Sequence, residues 1–218
     1  MRSPQGLSTA LTVLLSVAGA VRLFAIGAGV RMHLPARDTD GLDDRDHDGA
    51  FGSANLLLSM ATSLQVLVQI ATGTVFIVWF HRVRRNGAVF RRDGFRRPSG
   101  WAVGAWFIPF GNLVIPYGIA RDTWHAGTQR GPGGEHRRVS TVPLTAWWTL
   151  WVTSAVVDRV ASKLYGASDT AEMLRTASVI GIAGDLLTLA AAVCAVLFVR
   201  KPTAMQHTMA VYGPHAAA

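Results

Sequence analysis

The chain has 218 residues, half of them apolar, with a net charge of +8 and a positive mean hydropathy. Apolar residues that gather into long uninterrupted runs exclude an ordinary soluble domain. The basic excess does not argue for nucleic acid, because all 21 basic residues except Lys163 and Lys201 are arginine and most of them flank the apolar runs, where they set orientation in a membrane.

Five apolar stretches follow in chain order, and they predict an all-α integral membrane helical bundle in a single polytopic domain, residues 1–206. The first, residues 7–30, reaches the ~20 residues needed to cross a hydrocarbon core of roughly 30 Å. Arg2 ahead of it and Ala18-Gly19-Ala20 within it resemble a secretory signal with a small-residue cleavage site, but Leu23 to Val30 prolongs the apolar run. An uncleaved anchor is therefore the expectation. Residues 31–53 read as an acidic outer loop, and 54–80, 142–164 and 174–199 as further spans. After Pro202 hydrophobic periodicity fades, and 207–218 read as a disordered tail. The single cysteine, Cys194, lies in the last span and cannot form an intrachain disulfide.

The stretch 101–119 differs from the others. It holds Pro109, Pro116, Asn112, Gly104, Gly111 and Gly118, and proline costs a helix interior ~3 kcal/mol and glycine ~1 kcal/mol relative to alanine. Broken backbone at membrane depth must be buried in protein or face water, which points to a re-entrant or interfacial segment. Charge counting agrees, since short cytoplasmic loops collect Lys and Arg. If the segment returns to the side it came from, the inside holds 14 basic residues against 6 outside, but if it spans, the split is 11 against 9. Four crossings with both termini cytoplasmic fit better, at the cell membrane.

All seven tryptophans fall toward the inner side: Trp79 ends the second span, Trp101, Trp106 and Trp124 belong to the broken segment, and Trp147, Trp148 and Trp151 begin the next span. Such placement predicts an interfacial aromatic belt, with a cytoplasmic groove lined by the rings as the alternative. With Arg82, Pro109, Asn112 and Pro116 these residues form a candidate cytoplasmic interface. The cluster Arg82, Arg84, Arg85, Arg91, Arg92, Arg96 and Arg97 suits anionic lipid headgroups, at ~1 kcal/mol per charge near the surface, although orientation alone accounts for it. The partners expected are the lipid bilayer, and beyond it anionic lipids or another membrane protein, with no nucleic acid.

The stretch Trp79-Phe80-His81-Arg82-Val83-Arg84-Arg85-Asn86, followed by Gly100-Trp101, Trp106-Phe107-Ile108-Pro109, Asn112, Pro116-Tyr117, Trp124 and Trp147-Trp148, resembles a bacterial membrane family known as domain of unknown function 4328. The resemblance runs from the second span to Gln206 and leaves the acidic first loop outside. It implies a multi-helix inner-membrane protein and no particular activity.

Ionisable residues inside spans cost about 2.5 to 3.5 kcal/mol each on insertion scales and are functional candidates for that reason. Counted from the outer ends of their spans, Arg22 and Asp185 lie at depths of roughly 12 and 15 Å. Gln65 sits at a similar depth, and Thr62, Gln65, Gln69 and Thr72 follow one helical face. A buried polar layer of Arg22, Gln65, Gln69 and Asp185 is the expectation, acting as a clamp between helices or as part of a solute path. The small residues around Asp185, Ala177 to Gly181 and Gly184 to Thr188, permit close helix approach. Asp158 and Asp185 make a pair of membrane aspartates, but counting places Asp158 near 9 Å depth, about 6 Å shallower than Asp185, which weakens any acid and base partnership.

Asp44, Asp46, Asp48 and Gly49 match the first half of a calcium loop, with Asn55 where a bidentate Glu normally completes the shell. A solvated acidic loop is the plainer reading, and no metal site is committed. The sequence has no phosphate loop, zinc helix, paired Cys-x-x-Cys or nucleophile elbow, so no catalytic residue and no cofactor are expected and the reading leans away from an enzyme. His81 reads as an interfacial anchor beside Arg82. The function expected is that of a non-catalytic membrane interaction or regulatory protein. The alternatives are a small transporter or channel using the polar layer and, more remotely, an intramembrane enzyme.

Overall fold

The computed structural model describes residues 3–33, 44–129, 139–168 and 170–213, and these residues form helices and turns with no strand among them. Four helices are long: α1 (Gln5–His33), α2 (Asp44–Phe90), α5 (Val142–Gly166) and α6 (Ala171–Tyr212). Between α2 and α5 lie short 3-10 turns, the four-residue α3 (Trp101–Gly104) and α4 (Ile115–Ala126). Among the described residues three stretches are long and apolar enough to cross a membrane: Gln5–Phe24, Ser63–Phe90 and Arg175–Tyr212. The fourth expected span, α5, is not among them, because Asp158, Arg159 and Lys163 lower the hydropathy of its second half.

Local chemistry explains the boundaries. Proline lies in the first turn of both α4 and α5, where no amide hydrogen is needed. Thr170 caps α6 by accepting from the Met173 amide at 3.3 Å. Inside the helices, hydroxyls donate one turn back, as Thr72 does to the Val68 carbonyl at 2.7 Å and Thr203 to the Val199 carbonyl at 2.8 Å. These polar groups thus need no water in an apolar setting.

The long helices alternate in direction. Ser3, just ahead of α1, accepts through its carbonyl from Arg82 near the end of α2, and Trp79 of α2 donates to Thr203 in the second half of α6 at 3.1 Å. Trp147, near the start of α5, stacks on Phe198 of α6 at 4.6 Å. At the opposite end the Tyr165 and Ser178 hydroxyls meet at 2.8 Å. Helices α5 and α6 therefore run antiparallel and in contact along nearly the whole of α5, the most extensive helix pair in the bundle. That pairing buries Leu144, Ser154 and Ala161 on the α5 side.

The broken segment folds as a hairpin against α2. Arg84 donates to the Arg97 carbonyl at 2.7 Å, fixing where the segment enters. Nine residues later Trp106 packs on Phe76 and Phe80 at 5.5 and 6.0 Å, and Ala126 ends the segment against Gly87. At 1.5 Å per residue the chain descends about 12 Å along α2 and climbs back about 16 Å. The reversal falls at Ile108, Pro109 and Phe110. Phe110 takes a φ of 59°, unfavourable for a bulky side chain. Gly111 is required there, since a Cβ would come within 2.8 Å of Ile108 Cγ2.

Three sequence expectations change. The aromatic belt becomes a core: Trp79 and Trp124 are wholly buried, Trp147 and Trp148 nearly so, and they interlock with Phe76, Phe80, Trp106 and Phe198. Interfacial and core positions attract the same residue, and packing against the hairpin decided between them. Helix α2 begins at Asp44, inside the stretch read as a loop. The backbone there is helical, and the side chains of Asp44, Asp46 and Asp48, the calcium candidates, lie outside the described residues. Residues 34–43, the rest of that loop, lie outside the described residues. Finally, α6 continues through Pro202 to Tyr212, so 207–212 are helical rather than disordered. Buried Thr203, Gln206 and Met209 tie this extension to its neighbours, which outweighs the one hydrogen bond a proline removes. Residues 214–218 lie outside the described residues.

Candidate functional site

Near the middle of the bundle, Arg22 of α1 meets Asp185 of α6, with Nη1 and Oδ1 2.6 Å apart. Gln65 of α2, its amide oxygen turned to the guanidinium, accepts from Nε at 3.2 Å and Nη2 at 2.8 Å. Three helices are thereby joined through one side chain. Arg22 is 16% and Asp185 32% exposed, and this is the only ion pair among the described residues. Gln69, one turn further along α2, is exposed to the surroundings of the bundle and reaches the site through an adjoining cavity.

Sequence counting set Asp158 apart from this group, and the structure draws it in. Its carboxylate presses on Gly184, where even a methyl group would collide with Oδ1, and its negative charge acts on Asp185. The signal for this closeness was present in Gly184 itself, the one residue type that lets α5 approach α6 there. Among the described residues Arg22 pairs with Asp185 alone, and the Asp158 charge bears on that pair's carboxylate from its place against Gly184.

A cavity of about 90 Å³ opens beside the group, reached by Arg22, Gln65, Gln69, Thr72 and Thr188 and walled by Leu15, Ala192, Trp147 and Trp151. Thr188 Oγ1 is buried with no hydrogen-bond partner. At roughly 30 Å³ per water the space suits about three waters or a solute of that size, well below the ~300 Å³ of a drug-sized pocket.

The end of the bundle where α2 and α6 finish carries a second polar network that sequence reasoning missed. Gln206, 2% exposed, donates to the Val83 carbonyl at 2.8 Å and accepts from Asn86 at 3.3 Å. Arg84, also buried, lies over the Phe95 ring at 3.4 Å. Its position in an arginine cluster hid this role, because six neighbours of the same type read as one charged surface. Of the expected interface residues, Pro116 is buried, Asn112 half-buried, Arg82 half-buried, and Trp101 and Pro109 exposed. The turn of the hairpin leaves Phe107 at 73%, Phe110 at 85% and Val114 at 70% exposure, a contiguous apolar tip. Among the described residues no group of three or more His, Cys, Asp or Glu is placed to hold a metal ion.

These features define a helical bundle with three membrane-length apolar helices, a charged pair in its interior and a packed aromatic end. The family model for Domain of unknown function (DUF4328) matches residues 43–204, about three quarters of the chain, and the chain belongs to that family. The match begins before the second span and so includes Asp44 to Asp48, which the resemblance had left outside, whereas Arg22 precedes it. Comparison with curated proteins and with solved structures gave no match.

Proposed function

We propose that this chain is a multi-pass cell-membrane protein of four crossings, with both termini cytoplasmic and a re-entrant hairpin entering from the inner side, and that its role is non-catalytic interaction or regulation at that face. The observation that carries the reading is the hairpin. It begins near Arg84 and ends near Gly87, at one end of the bundle, and exposes Phe107, Phe110 and Val114 at its turn. An apolar tip suits lipid, and the exposed Arg91, Arg96 and Arg97 beside its entrance suit anionic headgroups. Contact of α5 with α6 along its length supports a fourth crossing despite the charges in α5: Asp158 faces the α6 backbone, and Lys163 sits close enough to the helix end to reach the interface.

In this reading the Arg22, Gln65 and Asp185 group is a clamp that selects which helices pack together. The 90 Å³ cavity favours one competing reading, a path for water-sized solutes. Reconstitution separates them. Proteoliposomes of the purified chain should show no conductance or solute uptake above empty vesicles, and a flux abolished by Thr188→Val would replace the interaction role with transport.

A further inference from the structure

A second cavity, of about 220 Å³, lies at the inner end of the bundle between the end of α4 and the extension of α6 beyond Pro202. Val139, Ala204 and Met205 give it apolar walls, and Gly127, Thr128, Gln129, Lys201 and Thr208 supply the rest of the lining. Among the described residues no acidic side chain lines it. The hydroxyls of Thr128 and Thr208 donate to the His125 and Ala204 carbonyls of their own helices, which leaves Lys201 and Gln129 as the free donors. Gln129 Nε2 is buried with no hydrogen-bond partner, and Lys201 has no acidic partner among the described residues.

A buried donor without an acceptor costs free energy, so its persistence calls for an occupant that accepts from it. The end of α4 does not oppose a negative group strongly, because its last carbonyls are already engaged by the Gly127 and Thr128 amides. We propose that this cavity binds a phosphate group, with Lys201 supplying charge and Gln129 a directed amide hydrogen bond. One cation and one neutral donor match the single negative charge of a phosphodiester. The apolar wall of Val139, Ala204 and Met205 matches the carbon stem such a group carries. The same chemistry comes from an anionic lipid headgroup or from a free phosphorylated solute. The proposal deepens the reading of the inner face as an interaction surface, yet it does not depend on how many times the chain crosses.

The test uses the purified full-length chain. Thermal unfolding in detergent is followed with inorganic phosphate, with glycerol phosphate and with chloride at equal ionic strength, and unfolding in nanodiscs is compared between pure phosphatidylcholine and a phosphatidylglycerol mixture. A phosphate source should raise the midpoint in a saturable way. Gln129→Leu, which changes no charge, should weaken that effect about tenfold or more, and Lys201→Gln should do likewise. Without phosphate, Gln129→Leu should leave the midpoint unchanged or higher, since it removes an unpaired donor. A shift with free phosphate identifies a soluble source, and a shift with phosphatidylglycerol alone a lipid one. Equal shifts in wild type and Gln129→Leu would assign the effect to the general arginine charge and overturn the site. Absence of any shift would overturn it as well. Should Gln129→Leu fail to fold, Gln129→Glu, which keeps the shape and repels phosphate, gives the same discrimination. Failure of this test leaves the hairpin topology untouched, and labelling of the hairpin from outside would leave the phosphate result standing.

Discussion

Removing one member of the Arg22 and Asp185 pair should cost far more than removing both. Breaking a buried pair leaves an uncompensated charge, at about 3 to 5 kcal/mol, and insertion scales give about 2.5 to 3.5 kcal/mol for a lone charge at depth. Since Arg22 and Asp185 keep 16% and 32% exposure, the lower end applies, about 3 kcal/mol. For a chain of this size each kcal/mol moves the unfolding midpoint by ~2–4 °C, so a single substitution should lower it by about 6–12 °C. Arg22→Leu should be the worse of the two. It leaves Asp185 facing the Asp158 charge with no cation and also strands Gln65, whereas Asp185→Leu leaves Arg22 held by Gln65. The double variant should recover to within about 1 kcal/mol of wild type, a coupling of about 5 kcal/mol against the ~6 kcal/mol that the two single losses would sum to. The assay is thermal unfolding of the four proteins in one detergent. If the two single losses simply add in the double variant, the clamp is not what joins α1 to α6.

Gly184→Ala should destabilise the chain by about 1 to 3 kcal/mol through overpacking on Asp158, and Asp158→Ala in the same chain should restore most of the loss, both read as unfolding midpoints. Gln206→Leu should cost about 1 to 3 kcal/mol, because the Val83 carbonyl and Asn86 lose a buried partner. Protease cleavage within 207–212 should rise with it. Phe110→Gly should relieve roughly 1 kcal/mol of backbone strain or more and raise the midpoint in detergent, while weakening retention of anionic lipid by the purified protein if the tip contacts the bilayer.

The apolar runs made the long helices legible, and depth counting on an ideal helix was enough to put Arg22, Gln65 and Asp185 on one level. The same counting separated Asp158 from Asp185, because it measured from span ends chosen by composition and could not register how α5 slides against α6 at Gly184. Tryptophan placement gathered the rings at one end of the bundle but did not give their depth in the packing. That depended on the hairpin folding back so that Trp106 reaches Phe76 and Trp124 reaches Phe198. Local signals misled where tertiary contacts override them: Pro202 reads as a helix stop, yet Gln206 and Met209 beyond it are buried. The alternating aspartates read as a loop, yet the backbone from Asp44 is helical. The 220 Å³ cavity had no sequence signature, because Gln129 and Lys201 meet only through the fold.

The most direct measurement is cysteine accessibility across the hairpin in intact cells and inverted vesicles, on a chain with Cys194→Ala as background. Single cysteines at Ser99, Phe110 and Thr128 should behave as a returning segment: Ser99 and Thr128 labelled by an impermeant reagent from the cytoplasmic side alone, Phe110 protected from both sides by lipid. Labelling of Thr128 from outside the cell, with Ser99 still labelled from within, would mean that 101–126 crosses the membrane and would contradict the account.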